Sequence, residues 1–373
     1  MRKLKFSNQV PEKAIFFKTL RSRVDAYFQD NQLVRFGGNE LIGKTVVMFL
    51  LYFVPYALIL TNWFSPLAMW GLVAIMALGK GGIGFCVMHD ANHGSYSPNK
   101  TLNYWLGLTL NLVGGCAMTW KIQHNVLHHT YTNVPGVDDD IADRRILRFS
   151  PTAKLRWFHR YQHYYAFLVY GLMTFNWILV KDFAQLRRYK KQGLLENQKV
   201  SYWKEVGILS LSKVVYFGYT LVLPMMLTDI TWWQWAIGFF TLHYITGLIL
   251  AVIFQMAHVV EETTMPFPTE GGTIENLWAV HQLETTVNFS TNNRFLNYYA
   301  GGLNFQVEHH LFPKISHVHY KKLSKVVKDT AEEFGIPYHE KTTLMEAIRS
   351  HRRLLKRFGR PEPVDNTKTP VLA

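Results

Sequence analysis

The sequence predicts an all-α integral membrane protein with four transmembrane helices in two hairpins, further interfacial helices, and a cytoplasmic helical cap that gathers a set of histidines. Three observations predict it. Four stretches are apolar over the roughly 20 residues that a helix needs to cross a hydrocarbon core. Lysine and arginine are concentrated in particular segments between those stretches, and three groups of histidines stand at or beyond the stretches instead of inside them.

The chain has 373 residues, and very apolar runs alternate with very charged ones. Aromatic residues make up 15% of it, with many Trp and Tyr flanking the apolar runs, where amphipathic rings favour a membrane interface. The net charge of +14 lies in segments bordering those runs, so anionic lipid and membrane orientation account for it better than nucleic acid, which is excluded as a partner. Cys86 and Cys116 are too few for a disulfide framework or a four-thiolate iron–sulfur cluster. The first forty residues have no short apolar core followed by a small-residue cleavage site, so no cleavable signal peptide is expected.

In chain order, residues 1–40 read as a cytoplasmic arm, 41–350 as one membrane domain and 351–373 as a partly disordered tail. The expected spans are 45–64, 66–88, 208–227 and 234–258. Short links around Ser65 and Asp229, both free of Lys and Arg, close the two hairpins, whereas the arm, residues 181–204 and the tail after Lys314 are basic. Positive charge accumulates on the cytoplasmic side, which places both termini there. Residues 101–120 and 165–180 are ambiguous by hydropathy. A crossing by 101–120 would put histidines before and after it on opposite sides of the membrane, so it reads as re-entrant or interfacial, with broken backbone buried in protein. A crossing by 165–180 would place basic residues 181–204 outside, so it also reads as interfacial.

Of the sixteen histidines, eight carry the argument. HDANH holds His89 and His93 at i, i+4, on one face of a continuing helix. HNVLHH holds His124, His128 and His129; QVEHH holds Gln306, His309 and His310; and His258 ends the fourth span. Imidazole binds iron, copper, zinc and nickel, so donor type alone does not name the metal. Eight imidazoles exceed one coordination sphere and suit two metals with open positions. No Glu-x-x-His pair occurs, which argues against a carboxylate-bridged di-iron bundle. His281, His317 and His319 read as surface, interfacial or supporting residues, and His159, His163, His243, His339 and His351 as structural or solvated. Lys80, inside the second span, has no account from sequence.

In HDANHGSYS, HNVLHHTYTN and GGLNFQVEHHLFPKISHVHY, supported by QMAHVVE and QLETTVNFSTNN, the chain resembles the membrane fatty acid desaturases, most closely their front-end, delta-6-like acyl-lipid branch. The likeness runs from about residue 40 to 350, and Gln306 stands where that branch often has Gln at the start of its third histidine box. The resemblance implies a non-haem di-iron centre, two Fe ions ligated by His89, His93, His124, His128, His129, His258, His309 and His310, with Gln306 a ligand directly or through water. Asp90, Asp138, Glu262 and Glu308 are the carboxylates nearest the histidines in sequence, expected to orient imidazole N–H groups or else to cap helices and meet solvent.

The activity implied is insertion of a cis double bond into an unsaturated acyl chain, as an acyl lipid or acyl-CoA, using O2 and two external electrons. The arm lacks the HPGG haem motif of the fused cytochrome b5 domain found in many eukaryotic members, so a separate ferredoxin or cytochrome b5 is the expected donor. Regioselectivity is expected from a narrow apolar tunnel. A hydroxylase or ketolase of the same histidine-rich class is the nearest alternative. An intramembrane zinc protease, suggested by HDANH as a relative of HExxH, leaves the other clusters idle. A metal transporter would place its polar residues near mid-span.

Overall fold

The computed structural model describes residues 4–7, 11–142 and 145–361. Helix α1, Pro11–Asp30, precedes the membrane region. Helices α2, Gly38–Leu60, and α3, Pro66–His93, form the first hairpin. Ser65 starts α3 by accepting from the Ala68 amide, with Pro66 in the first turn where its missing N–H is not needed. The helices lie so close that a Cβ on Gly79 would stand 2.5 Å from the Tyr52 amide nitrogen. Within α3 the residues Ile83–Met88 form a π-helical segment just before the histidine pair, and the helix stops at Gly94, whose φ of +74° favours glycine.

Helix α4, Lys100–Gly107, is followed by a break at Gly114, where φ is +95°, and by α5, residues 117–128. The reading of 101–120 as a re-entrant or interfacial element agrees with these short, broken helices. Helices α6, Trp157–Tyr170, and α7, Met173–Lys191, meet at a 67° bend. The second hairpin joins α8, Tyr202–Leu227, to α9, Trp232–His258, which opens on a Thr231/Gln234 capping box. Asn62 and Asp229 hydrogen-bond across the two hairpin turns, at 2.7 and 3.1 Å, so both links sit at the same end of the bundle.

The remainder forms a cap on the opposite end. It contains α10, Trp278–Thr285, α11, Gln306–Leu311, α12, Tyr320–Glu333, and α13, Leu344–Phe358. Two short parallel pairs fasten it: β1, Lys5–Phe6, on β2, Thr273–Ile274, and β3, Asn288–Phe289, on β4, Glu340–Lys341. Phe16, Leu20, Val24 and Phe28 of α1 bury themselves with Leu323, Val327 and Ala331 of α12. The N-terminal arm is therefore part of the cap.

The four spans are present, with corrected limits. The first begins at Gly38 and ends at Leu60, and the third begins at Tyr202, because polar ends extend these helices beyond their apolar stretches. The stretch 165–180 belongs to the bent α6–α7 pair, which is longer than expected in both directions. The tail expected from 351 is corrected too: α13 continues to Phe358, and His351 is buried against Tyr170 and the Val259 carbonyl. Residues 362–373 of that tail lie outside the described residues.

Candidate metal centre

Helices α3 and α9 run along each other, with Thr246 donating to the Ala77 carbonyl at 3.2 Å, so their ends coincide. That places His89 and His93, in the last turn of α3, near His258, the final residue of α9. Helix α5 brings His124 and His128 with neighbouring His129, and α11 brings His309 and His310. Neighbours in sequence diverge in space. The rings of His309 and His310 are 88° apart, one lying 4.6 Å from the His89 ring and the other 4.8 Å from His128, centre to centre.

The result is two adjoining donor groups. His89, His93, His124 and His309 offer nitrogen atoms all within 4.8 Å of one another, as do His128, His258 and His310. His129 lies between them, grouped with both His309 and His310. Gln306 belongs at the second group, its Nε2 2.8 Å from His258 Nε2 and 3.4 Å from His310 Nε2. All eight histidines expected as ligands thus converge.

The donors fit a metal. Among the described residues, Nε2 of His89, His93, His128 and His309 and Nδ1 of His129 are buried without hydrogen-bond partners, as is Oε1 of Gln306. Unmet polar atoms of this kind are rare in interiors unless an ion, water or ligand meets them. On four of the eight rings Nδ1 is held by a side chain. His128 Nδ1 lies 2.8 Å from Asp138, His124 Nδ1 2.8 Å from Asp140, His310 Nδ1 2.9 Å from Gln282, and His309 Nδ1 3.2 Å from the Tyr320 hydroxyl. Fixing Nδ1–H orients the ring and leaves Nε2 as the lone-pair donor, the arrangement typical of metal-binding histidines. Burial first, then neighbouring imidazoles, hold His124, His129, His309 and His310 well below their ordinary range, which favours the neutral form that ligates. His128 differs: burial is the largest influence and would lower it, but the charge and hydrogen bond of Asp138, with the charge of Asp140, together raise it.

Of the four carboxylates expected near the histidines, Asp138 lies within hydrogen-bond distance of one of the eight rings, that of His128. Asp90 lies 3.7 Å from His89, but its close partners are the His317 ring at 3.0 Å and Ser316 at 2.8 Å. Glu262 instead bonds Lys341 and Ser350. Glu308, beside the ligands in sequence, points away to Asn288 at 2.7 Å and Tyr338 at 2.9 Å, because consecutive residues on a helix face different ways. Asp140, Gln282 and Tyr320 are the supporting residues that sequence missed. Only their loops and helices, once folded, single them out: Asp139 sits between Asp138 and Asp140 yet bonds Arg188 and Tyr189.

The surface reading of His281 and His317 is corrected, since both are buried. His281 packs its ring against Phe6 and stands outside the donor groups. His317 joins Asp90 to Lys44.

A cavity of about 530 Å³ adjoins the first donor group. Lys80, Gly84, Met88 and His89 line it as one stripe of α3, and the helical rise puts about 13 Å between its ends. Leu110, Val113, Ile178, Leu250 and Phe254 make the walls apolar. At the far end Lys80 Nζ bonds the Tyr216 hydroxyl at 3.0 Å, and that hydroxyl lies 2.6 Å from His243 Nε2. Lys80 therefore turns inward, among neutral partners.

The chain was compared with known proteins. The family model for fatty acid desaturases matches residues 37–342. The chain is similar to the sn-1 linoleoyl-lipid 6-desaturase of Synechocystis sp., at 35% identity over 94% of this chain and 97% of the relative. It is similar to the protein of the same description in Arthrospira platensis, at 33% identity over 92% of each. The acyl-lipid (8-3)-desaturase of Physcomitrium patens is 34% identical over 93% of this chain and 72% of its own.

Proposed function

Because the chain belongs to the fatty acid desaturase family, we propose that it is a front-end acyl-lipid desaturase whose eight convergent histidines hold two irons beside an acyl-binding cavity. As a member of that family it is an oxidoreductase acting on fatty acyl chains with O2 and an electron donor. The observation that carries the detailed reading is the pairing of two imidazole groups with an apolar cavity that ends at one of them. Front-end regioselectivity is supported by the relatives described as 6-desaturases and (8-3)-desaturases.

Two irons bound there would supply the dioxygen-dependent oxidation that removes two hydrogens from an unactivated alkyl segment, chemistry beyond any side-chain acid or base. The chain's own part is placement. His89, His93, His124 and His309 would hold one ion and His128, His258 and His310 the other, with His129 between and Gln306 at the second. Asp138, Asp140, Gln282 and Tyr320 fix the ring orientations. The stripe on α3 aligns an extended acyl chain past His89, and the apolar walls exclude water from it. The metal end of the bundle and both termini face the cytoplasm in this reading, supported by the basic segments of the sequence, and a separate ferredoxin or cytochrome b5 delivers the electrons.

The test is expression in a host supplied with defined mono- and polyunsaturated fatty acids, with double-bond positions read by mass spectrometry. A new bond between an existing double bond and the carboxyl end, absent with His128→Ala and His309→Ala, is the expected result. An unchanged acyl profile from folded, iron-loaded protein with a competent donor would overturn desaturation, and a hydroxylated product would reassign the chemistry.

A further inference from the structure

Away from the histidines, the crossing of α6 and α13 encloses an open pocket of about 670 Å³. Arg156, Arg160, Lys356 and Arg360 line it, and none of them has an acidic partner among the described residues, whereas nearby Arg353 is paired with Glu261. His163 also lines the pocket; it is 7% exposed, and its Nδ1 is buried without a hydrogen-bond partner among the described residues. The crossing is tightly fixed. A Cβ on Gly359 would lie 2.3 Å from the His159 carbonyl oxygen, and Arg148 bonds the Phe358 carbonyl at 2.5 Å and the Ala153 carbonyl at 2.8 Å.

Location and surroundings narrow the ligand. His351 of α13 bonds the carbonyl of Val259, the residue that follows the α9 span, so the pocket lies near the level where that span leaves the hydrocarbon core. From the pocket, Tyr161, Tyr164 and Leu168 extend along α6 at helical spacing, 46, 64 and 64% exposed. Exposed aromatic and apolar side chains beside cations suit a membrane–water interface. Guanidinium groups bind phosphate oxygens in a planar, two-pronged geometry, and an unmet imidazole nitrogen adds a further contact. Basic clusters at a bilayer surface attract anionic lipid.

We propose that this pocket binds the headgroup phosphate of an anionic glycerophospholipid whose acyl chains lie along the exposed stripe of α6. The site is separate from the metal centre and independent of the reaction performed there. It commits to a lipid because the cations open onto an apolar track, which a soluble phosphate would not use.

The test begins with the full-length protein, iron-loaded and exposed to equal amounts of phosphatidylglycerol and phosphatidylcholine. Lipid retained after detergent stripping is read by native mass spectrometry. Wild type is expected to keep one phosphatidylglycerol per chain in preference to phosphatidylcholine, and Arg160→Gln/Lys356→Gln to lose about tenfold of that retention with iron content and Tm unchanged. Lys321→Gln/Lys322→Gln, the same charge change on α12, is expected to keep it. Equal retention of the two lipids by wild type, or of phosphatidylglycerol by wild type and the first double variant, overturns the proposal. So does complete displacement of the lipid by excess inorganic phosphate, which would make the pocket a reader of phosphate alone. A measurement on wild type needs no variant: vesicles containing phosphatidylglycerol should slow amide exchange across residues 157–164 relative to pure phosphatidylcholine vesicles, and no difference there counts against the site.

Discussion

Asp138 accepts from His128 and also from the backbone amides of Asn133 and Asp140, so one carboxylate fixes both an imidazole and the loop that carries its neighbour. Asp140 holds the His124 ring and the Gln123 side chain. Asp138→Asn and Asp140→Asn are each expected to lower iron affinity or turnover by roughly 10- to 100-fold, read as iron per chain and rate per iron. Glu262→Gln, which touches no imidazole of the centre, should leave both near wild type. Glu308 offers a pH test. Burial, only partly offset by its bonds to Asn288 and Tyr338, pushes its carboxyl up to about 7. A folded-state value above the unfolded one means that ionising the group opposes folding, so stability falls as pH rises through the interval from the unfolded value to about 7. Glu308→Gln should therefore raise the Tm of iron-free protein at pH 8 and make little difference at pH 5, measured by thermal unfolding in detergent. At this scale the sequence disclosed the donors, because imidazoles at i, i+4 share a face wherever the helix lies. It did not disclose their supports. Choosing Asp138 and Asp140 over Asp139, or rejecting Glu308, requires the loop and helix directions that only folding sets.

Helix packing in the hairpin of α2 and α3 depends on absent side chains. Gly79→Val would drive a branched carbon into the Tyr52 backbone, and a displacement of α3 carries His89 and His93 with it. Overpacking of this kind costs about 1–3 kcal/mol, so a lower Tm accompanied by weaker iron retention is expected. An unchanged Tm would show that the helices separate freely. The spans themselves were legible because hydrocarbon imposes a minimum apolar length. Their ends were less so: Lys44 and Glu205 are buried against protein and let helices run past the apolar stretch. The 67° bend between Tyr170 and Met173 was not legible either. It stands where the α9 residue Gly247 meets the Gly171 carbonyl, a tertiary approach with no local signature.

For the molecule as a whole, the bonded hairpin turns at one end and the histidine cap at the other make orientation a single binary property. In intact cells a membrane-impermeant thiol reagent should label Asn62→Cys and spare Lys325→Cys until the membrane is opened, and the native Cys86 and Cys116 are buried. Labelling of both from outside would refute the cytoplasmic assignment of the cap. The far wall of the cavity yields a second prediction. Replacing Lys80 by Met removes the amino group while leaving the bond between Tyr216 and His243 in place, so longer acyl chains should gain in kcat/KM relative to the preferred one. An unaltered length profile would separate Lys80 from substrate.

Lys80 and the His89–His93 pair are rungs of one helix, and the π-helical segment Ile83–Met88 lies between them. Such a segment accommodates extra backbone within an α-helix. Deleting one residue there would restore ordinary winding and leave the imidazoles near their present angle to the lysine, whereas deleting one from an ordinary turn of α3 would swing them by about 100°. In that second case His89 and Lys80 would no longer line one cavity. The widened turn thus acts as slack: it takes up one residue inside α3, so that Lys80 and His89 face the same cavity while the helix on either side keeps its ordinary winding.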